Sequence, residues 1–261
     1  VILHKRRLAV VLATLTTAAA VVGVAGPAQA DLPYPLPSGS TYVFPTPNPS
    51  QVNTFVTTAD YWSVVGIQSP VGAQYLLAVN DSSGTSIGAS SLPPVSGQQT
   101  VSFVAVNNNA GYSPIGTYQG VTADLGGSGD YEMQYANPTQ TLSTTEPFAP
   151  QTMSMGPGQF ITIADVYLVG GQGYRFDASF FQQNDPPGNY GEMYLMPSTS
   201  KAAGAEQALW SCGTVWGCTH SWTATQSGWY AVVVVAVGRS SVDEPWVSVD
   251  ACALLQAGQY C

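Results

Sequence analysis

At 261 residues the chain is long enough for one large or two small domains, yet only 8% of it is Asp, Glu, Lys or Arg, with a net charge of −9. So little charge excludes a protein built from solvent-facing helices, whose outer stripes carry many Lys, Glu and Arg. The acidic balance excludes nucleic acids and anionic membranes as partners, since both require a basic surface.

The first thirty residues read as a secretory signal peptide. His4-Lys5-Arg6-Arg7 is a basic start, Leu8 to Val24 is apolar, and Ala28-Gln29-Ala30 is a small-x-small cleavage site. The alternative, a membrane anchor, has no use for that cleavage motif, so no membrane insertion is expected after removal. Arg6-Arg7 leaves both the general and the twin-arginine export routes open. Removal leaves Arg175, Lys201 and Arg239 against fifteen acids, a net of −12. Such a surface favours solubility and cationic partners, metal ions among them. The expected location is extracellular.

The remaining composition is rich in Gly, Pro, Ser, Thr, Asn, Val and Tyr, which suits short strands joined by tight turns. Residues 31–50 form a proline-rich leader, extended and semi-rigid, with Tyr42-Val-Phe44 as a short strand. A first β-domain is expected over 51–138. Tyr61 to Ile67 is a strand whose alternation slips near Gly66, as at a β-bulge. Tyr75 to Val79, Thr100 to Val106 and Tyr131 to Tyr135 are further strands. Residues 139–149 are expected as a linker, and 150–261 as a second β-domain. Phe160 to Leu168 is a strand with the same slip between Ile163 and Val166. Tyr174 to Phe180 alternates as a half-buried strand, and Glu192 to Met196 follows. Lys201 to Trp210 is mildly helical. Trp229 to Val237 is apolar on both faces and should be central, and Trp246 to Leu254 is the last strand.

The two halves echo one another at a spacing of 99 residues: Tyr75 with Tyr174, Gly129-Asp-Tyr131 with Gly228-Trp-Tyr230, Trp62 with Ile161. Repetition on this scale predicts two copies of one unit.

The repeated pattern resembles the bacterial pre-peptidase C-terminal domain family. The second copy carries Gly171-Gln-Gly-Tyr174, Glu192-Met-Tyr-Leu195 and Gly228-Trp-Tyr-Ala-Val-Val233. The first carries Gly72-Ala-Gln-Tyr75, Thr100-Val-Ser-Phe103 and Gly129-Asp-Tyr-Glu-Met133. The resemblance implies small jelly-roll-like β-sandwiches on a secreted protein, with an accessory role in matrix or glycan binding or in stabilising an enzyme. The acidic residue opening the middle strand is Glu192 in one copy and is absent from the other, a departure that bears on any calcium there.

Four cysteines, Cys212, Cys218, Cys252 and Cys261, predict disulfides in an exported chain. Three pairings exist, and Cys212–Cys218 with Cys252–Cys261 is favoured because each closes a short loop. A zinc site would have only His220 to add. His220 is also the one histidine left after cleavage, with no G-x-S-x-G elbow to pair it with a serine nucleophile. Hydrolysis by carboxylates alone would draw on Asp130, Glu132, Asp165 and Asp177. Calcium is the metal that the turn Asp124 to Glu132 would suit, through Asp124, Asp130 and Glu132, with Asn80-Asp81 nearby in type, although turn chemistry accounts for the same residues. Trp210, Trp216 and Trp222 bracket the first cysteine pair and could stack on sugar rings or anchor a protein, or else cap the sandwich end.

The expectation is an all-β chain of two tandem antiparallel sandwiches, monomeric and non-catalytic. Its partners would be cell-wall polysaccharide or an extracellular protein. A lectin using the Trp210–Trp222 region and a carboxylate hydrolase are the alternatives.

Overall fold

The computed structural model describes residues 33–47, 50–57, 61–109, 111–138, 141–144, 151–155, 158–181, 190–214, 217–237 and 246–253. The expected signal peptide and Cys261 lie outside them. The described residues are all β apart from one 3-10 turn at Ala205–Gln207. In chain order the strands are β1 (Tyr34–Pro35), β2 (Thr41–Phe44), β3 (Ser50–Val56), β4 (Trp62–Ser69), β5 (Gln74–Asn80), β6 (Ser86–Ser90), β7 (Thr100–Asn107), β8 (Thr117–Gly126), β9 (Tyr131–Ala136) and β10 (Thr141–Leu142). They continue as β11 (Gln151–Ser154), β12 (Ile161–Leu168), β13 (Gly173–Phe181), β14 (Tyr190–Met196), β15 (Ala202–Gly204), β16 (Trp210–Thr214), β17 (Gly217–Thr223), β18 (Gly228–Val237) and β19 (Trp246–Ala253).

These make four sheets: I (β1-β3-β8-β5-β6), II (β15-β7-β4-β9-β2), III (β10-β12-β18-β14-β16) and IV (β11-β19-β13-β17). Pairing is antiparallel except at β1–β3 and β10–β12. Sheets I and II enclose one core around Tyr75, Tyr118, Tyr131, Met133, Val65 and Ile67. Sheets III and IV enclose another around Tyr174, Phe176, Met193, Val232 and Val234. A third core lies between sheets II and III, where Trp62, Val64 and Phe103 meet Ile161, Ile163, Tyr194 and Val233. The two sandwiches are therefore stacked into four layers, with buried apolar side chains filling the seam between them as they fill each interior.

That third core corrects one reading of the sequence. The lost alternation in β4 and β12 is not a bulge, for both strands keep unbroken register with their neighbours. Both faces are simply buried. In β4, Val65 and Ile67 enter one core while Trp62 and Val64 enter the seam. In β12, Ile161 and Ile163 enter the seam while Ala164, Val166 and Leu168 face sheet IV. Irregularities occur instead in β5, at Gln74/Tyr75 and Val79/Asn80. Gly66 allows the close approach: a Cβ there would stand 3.1 Å from Ile161 Cδ1.

Lys201 to Trp210 is not helical beyond its single 3-10 turn. Its first part forms β15, which pairs with β7 at the edge of sheet II, and Ala202 enters the core between sheets I and II. The Glu206 carboxylate accepts the Ser91 amide and fastens the crossing. Strand β18 is the middle strand of sheet III, between β12 and β14. Strand β9, its counterpart by the 99-residue spacing, lies instead between β4 and the short edge strand β2.

Candidate functional site

Trp210 is 8% exposed and belongs to the core between sheets III and IV. It packs on Phe176, with centroids 5.1 Å apart, and stacks on His220 at 4.5 Å. Trp222 is half-buried against the same core, edge-on to Tyr230. Trp216 lies outside the described residues. Trp210 thus offers no surface to a ligand, because inward alternation along β16 and β17 points it and His220 at each other. The expected disulfide Cys212–Cys218 is present, with Cα atoms 5.9 Å apart. It joins edge strand β16 of sheet III to edge strand β17 of sheet IV, closing that side of the sandwich. The partner expected for Cys252, Cys261, lies outside the described residues.

The acids expected around a calcium ion do separate work. Asp124 is exposed and accepts the Gly126 amide within its own turn. Glu132 on β9 accepts from the Gln68 amide group, and partial burial raises its pKa above the ordinary carboxylate range. Asp130 is exposed between them in sequence. Among the described residues no three of His, Cys, Asp and Glu come together. Asp81 caps its turn by accepting from the Ser83 hydroxyl and from the amides of Ser83 and Thr85; the Ser83 hydroxyl chiefly lowers its pKa. On the outer face of sheet IV, Asp177 pairs with Arg175 at 2.8 Å and accepts from the Thr219 hydroxyl.

A different set of rings faces solvent. Tyr61 is 41% exposed and Tyr167 is 46% exposed, and both stand edge-on to the half-buried Trp229, at 5.9 and 5.4 Å. Tyr167 and Trp229 are cross-strand neighbours on β12 and β18. Both lie on the face of sheet III that turns toward sheet II, at the end where the seam opens to water. Tyr61 comes from the other sandwich, immediately before β4. Trp62, fully buried beneath them, donates its indole N–H to the Trp229 carbonyl at 3.2 Å. Its backbone amide donates to Asp165 Oδ1 at 3.2 Å. Asp165 has no exposed surface, and desolvation raises its pKa to about 7 against the opposing pull of that single amide. The sequence held a signal for this cluster: Tyr61-Trp62 and Trp229-Tyr230 are adjacent aromatic pairs at strand ends. In an alternating strand such a pair must send its two rings to opposite faces.

No known family profile matches this chain, and no curated protein sequence matches it. Among solved structures it is similar to the insecticidal delta-endotoxin Cry8Ea1 from Bacillus thuringiensis, at 8% identity and a TM-score of 0.22, over 70% of this chain and 43% of the toxin. It is also similar to the PBSX exported protein XepA, at 10% identity and a TM-score of 0.20, over 82% of this chain and 83% of that one. The chain spans less than half the length of the toxin chain. Neither likeness is close enough to carry an argument about function.

Proposed function

We propose that the protein is a secreted, non-catalytic binding module of the bacterial cell exterior, and that it takes polysaccharide on the Tyr61–Trp229–Tyr167 cluster. The single observation behind this reading is that two exposed tyrosines flank the half-buried Trp229 at the mouth of the seam. Sugar rings carry C–H faces that pack on aromatic rings while their hydroxyls stay hydrated, and Tyr and Trp serve such half-wet contacts well. The strongly acidic chain repels anionic polymers, so a neutral or cationic polysaccharide suits it best. The sequence resemblance to pre-peptidase C-terminal domains, the signal-like leader and the disulfide agree with an exported accessory role. On this proposal the lectin-like surface is centred on Trp229, and the burial of Trp210 in the core between sheets III and IV favours it over the Trp210–Trp222 region.

The test is retention of the protein on insoluble cellulose, chitin and peptidoglycan, with and without calcium. Trp229→Ala should abolish retention that Trp210→Phe preserves. Equal retention of wild type and Trp229→Ala, or none on any polymer, would remove the reading.

A further inference from the structure

We propose that Asp165 is a proton-operated latch on the seam: protonated, it lets sheets II and III close and sets Tyr61 against Trp229 and Tyr167; ionised, it loosens that end of the seam and moves Tyr61 away from the other two rings. The effect on ligand rests on the binding surface proposed above; the latch itself does not.

The geometry carries the inference. Asp165 occupies the seam face of β12, two residues beyond Ile163, and contacts the opposite sandwich through the Trp62 amide. Its Oδ2 is fully buried and has no hydrogen-bond partner. A buried carboxylate holding one amide and no cation lacks the compensation that an internal charge requires, whereas the protonated acid is tolerated. Among the described residues the neighbouring elements supply no counter-charge. Strands β4, β7, β10 and β11 contain no ionisable side chain. On β18 the only one is Tyr230, in the core on the far side, where its hydroxyl donates to the Gln226 carbonyl. On β9, Tyr131 and Tyr135 enter the core against sheet I, and Glu132 sits beside Gln68, at the other end of β4 from Trp62. On β12 itself, Tyr167 is at the mouth.

Coupling to the rings runs through short covalent steps and two hydrogen bonds. Tyr61 directly precedes Trp62, whose amide Asp165 holds. Tyr167 follows Asp165 by two residues on the same strand face. Trp62 also donates to the Trp229 carbonyl. The β12–β18 pairing keeps Tyr167 beside Trp229, whereas the position of Tyr61 hangs from the Asp165–Trp62 contact, and opening that contact moves Tyr61 away from the other two.

The experiment is a near-ultraviolet circular dichroism titration of the full exported chain from pH 5 to 8.5. The wild type should show one transition with a midpoint near 7. Asp165→Asn should abolish it, while Glu132→Gln, the control at a half-buried carboxyl, should leave it intact. A flat wild-type profile, or the same transition in Asp165→Asn, would overturn the latch. Should Asp165→Asn not fold, carboxyl carbon NMR of the wild type decides directly, and an Asp165 midpoint below pH 5.5 would overturn it. In parallel, retention on cellulose, chitin and peptidoglycan should weaken by about tenfold between pH 5.5 and 8.5. A titrating seam with pH-independent retention would overturn the coupling. A titrating seam with no retention at any pH would leave the latch standing and remove the binding surface.

Discussion

Trp210 and His220 stack face to face, 4.5 Å apart with 25° between their planes, across the two edge strands that Cys212–Cys218 ties together. The contact makes Trp210 a packing residue. Trp210→Ala should destabilise the fold by about 3–5 kcal/mol, the usual range for deleting a buried large ring. Trp229→Ala, at the seam mouth, should cost much less stability while removing polymer retention. Urea unfolding beside the retention assay separates the two, and comparable stability losses would contradict the assignment.

The disulfide closes a short loop, six residues apart in sequence. Chain-entropy reasoning gives such a loop about 2 kcal/mol. Replacing both Cys212 and Cys218 by serine should lower the urea midpoint accordingly, with an unchanged slope. In sheet III the strand β14 separates β16 from β18 and β12, which carry Trp229 and Tyr167, so polymer retention at the seam mouth should survive.

Much of the fold could be read from the sequence because strands such as β13 alternate cleanly, and β18 is too apolar to have a wet face. Strand β8 was not legible. Its inward positions are Tyr118, Gly120 and Thr122, while Val121 and Ala123 lie on the other face, so hydropathy reports the wrong side. Gly120 is there because a Cβ would stand 2.7 Å from Met133 Cε, a requirement set by a residue on another strand. The site failed to show for a related reason. Three tryptophans around a cysteine loop attract notice in sequence, yet alternation at β16 turns the first of them inward. Tyr61, Tyr167 and Trp229 are scattered over the chain: Tyr167 meets Trp229 through the β12–β18 pairing, and Tyr61 joins them only because two sandwiches stack. The slips at Gly66 and Asp165 carried the clue to that stacking, since a strand buried on both faces loses its alternation.

Asp165 also sets a pH dependence of stability. Its folded-state pKa, about 7, lies above the ordinary carboxylate value of 3.8. Between those values the unfolded chain has released its proton and the folded chain still holds it. The folded state then binds more protons, so stability falls as pH rises through that window and levels off above it. The loss should be on the order of 4 kcal/mol at full extent. Denaturant midpoints measured from pH 4 to 8 should decline in the wild type and stay flatter in Asp165→Asn. Parallel slopes in the two would assign the dependence elsewhere.

Gly66 tests how tightly the seam is packed. Its missing Cβ faces Ile161 Cδ1 at 3.1 Å and Phe160 Cε2 at 3.3 Å, both from the opposing sandwich. Gly66→Val should force the sheets apart and destabilise by about 1–3 kcal/mol, as overpacked cores do. Gly116→Ala, where a Cβ meets nothing within 4 Å, is the control and should be close to neutral. A neutral Gly66→Val would mean that the seam yields easily.

The same seam argues that the halves are not independent. Residues 31–142 expressed alone would expose Trp62, Val64, Val101, Phe103 and Ala105 as one apolar face, and would lose Ala202 from the core between sheets I and II. They would also leave β7 as an open edge where β15 now pairs. An apolar face and an unpaired edge both promote self-association. The fragment should therefore elute as oligomers or aggregates and bind a hydrophobic dye, whereas residues 31–261 should not. A monomeric fragment that leaves the dye free would show that sheet II can stand in water, and the seam would then be a docking contact between two self-sufficient domains instead of a third core.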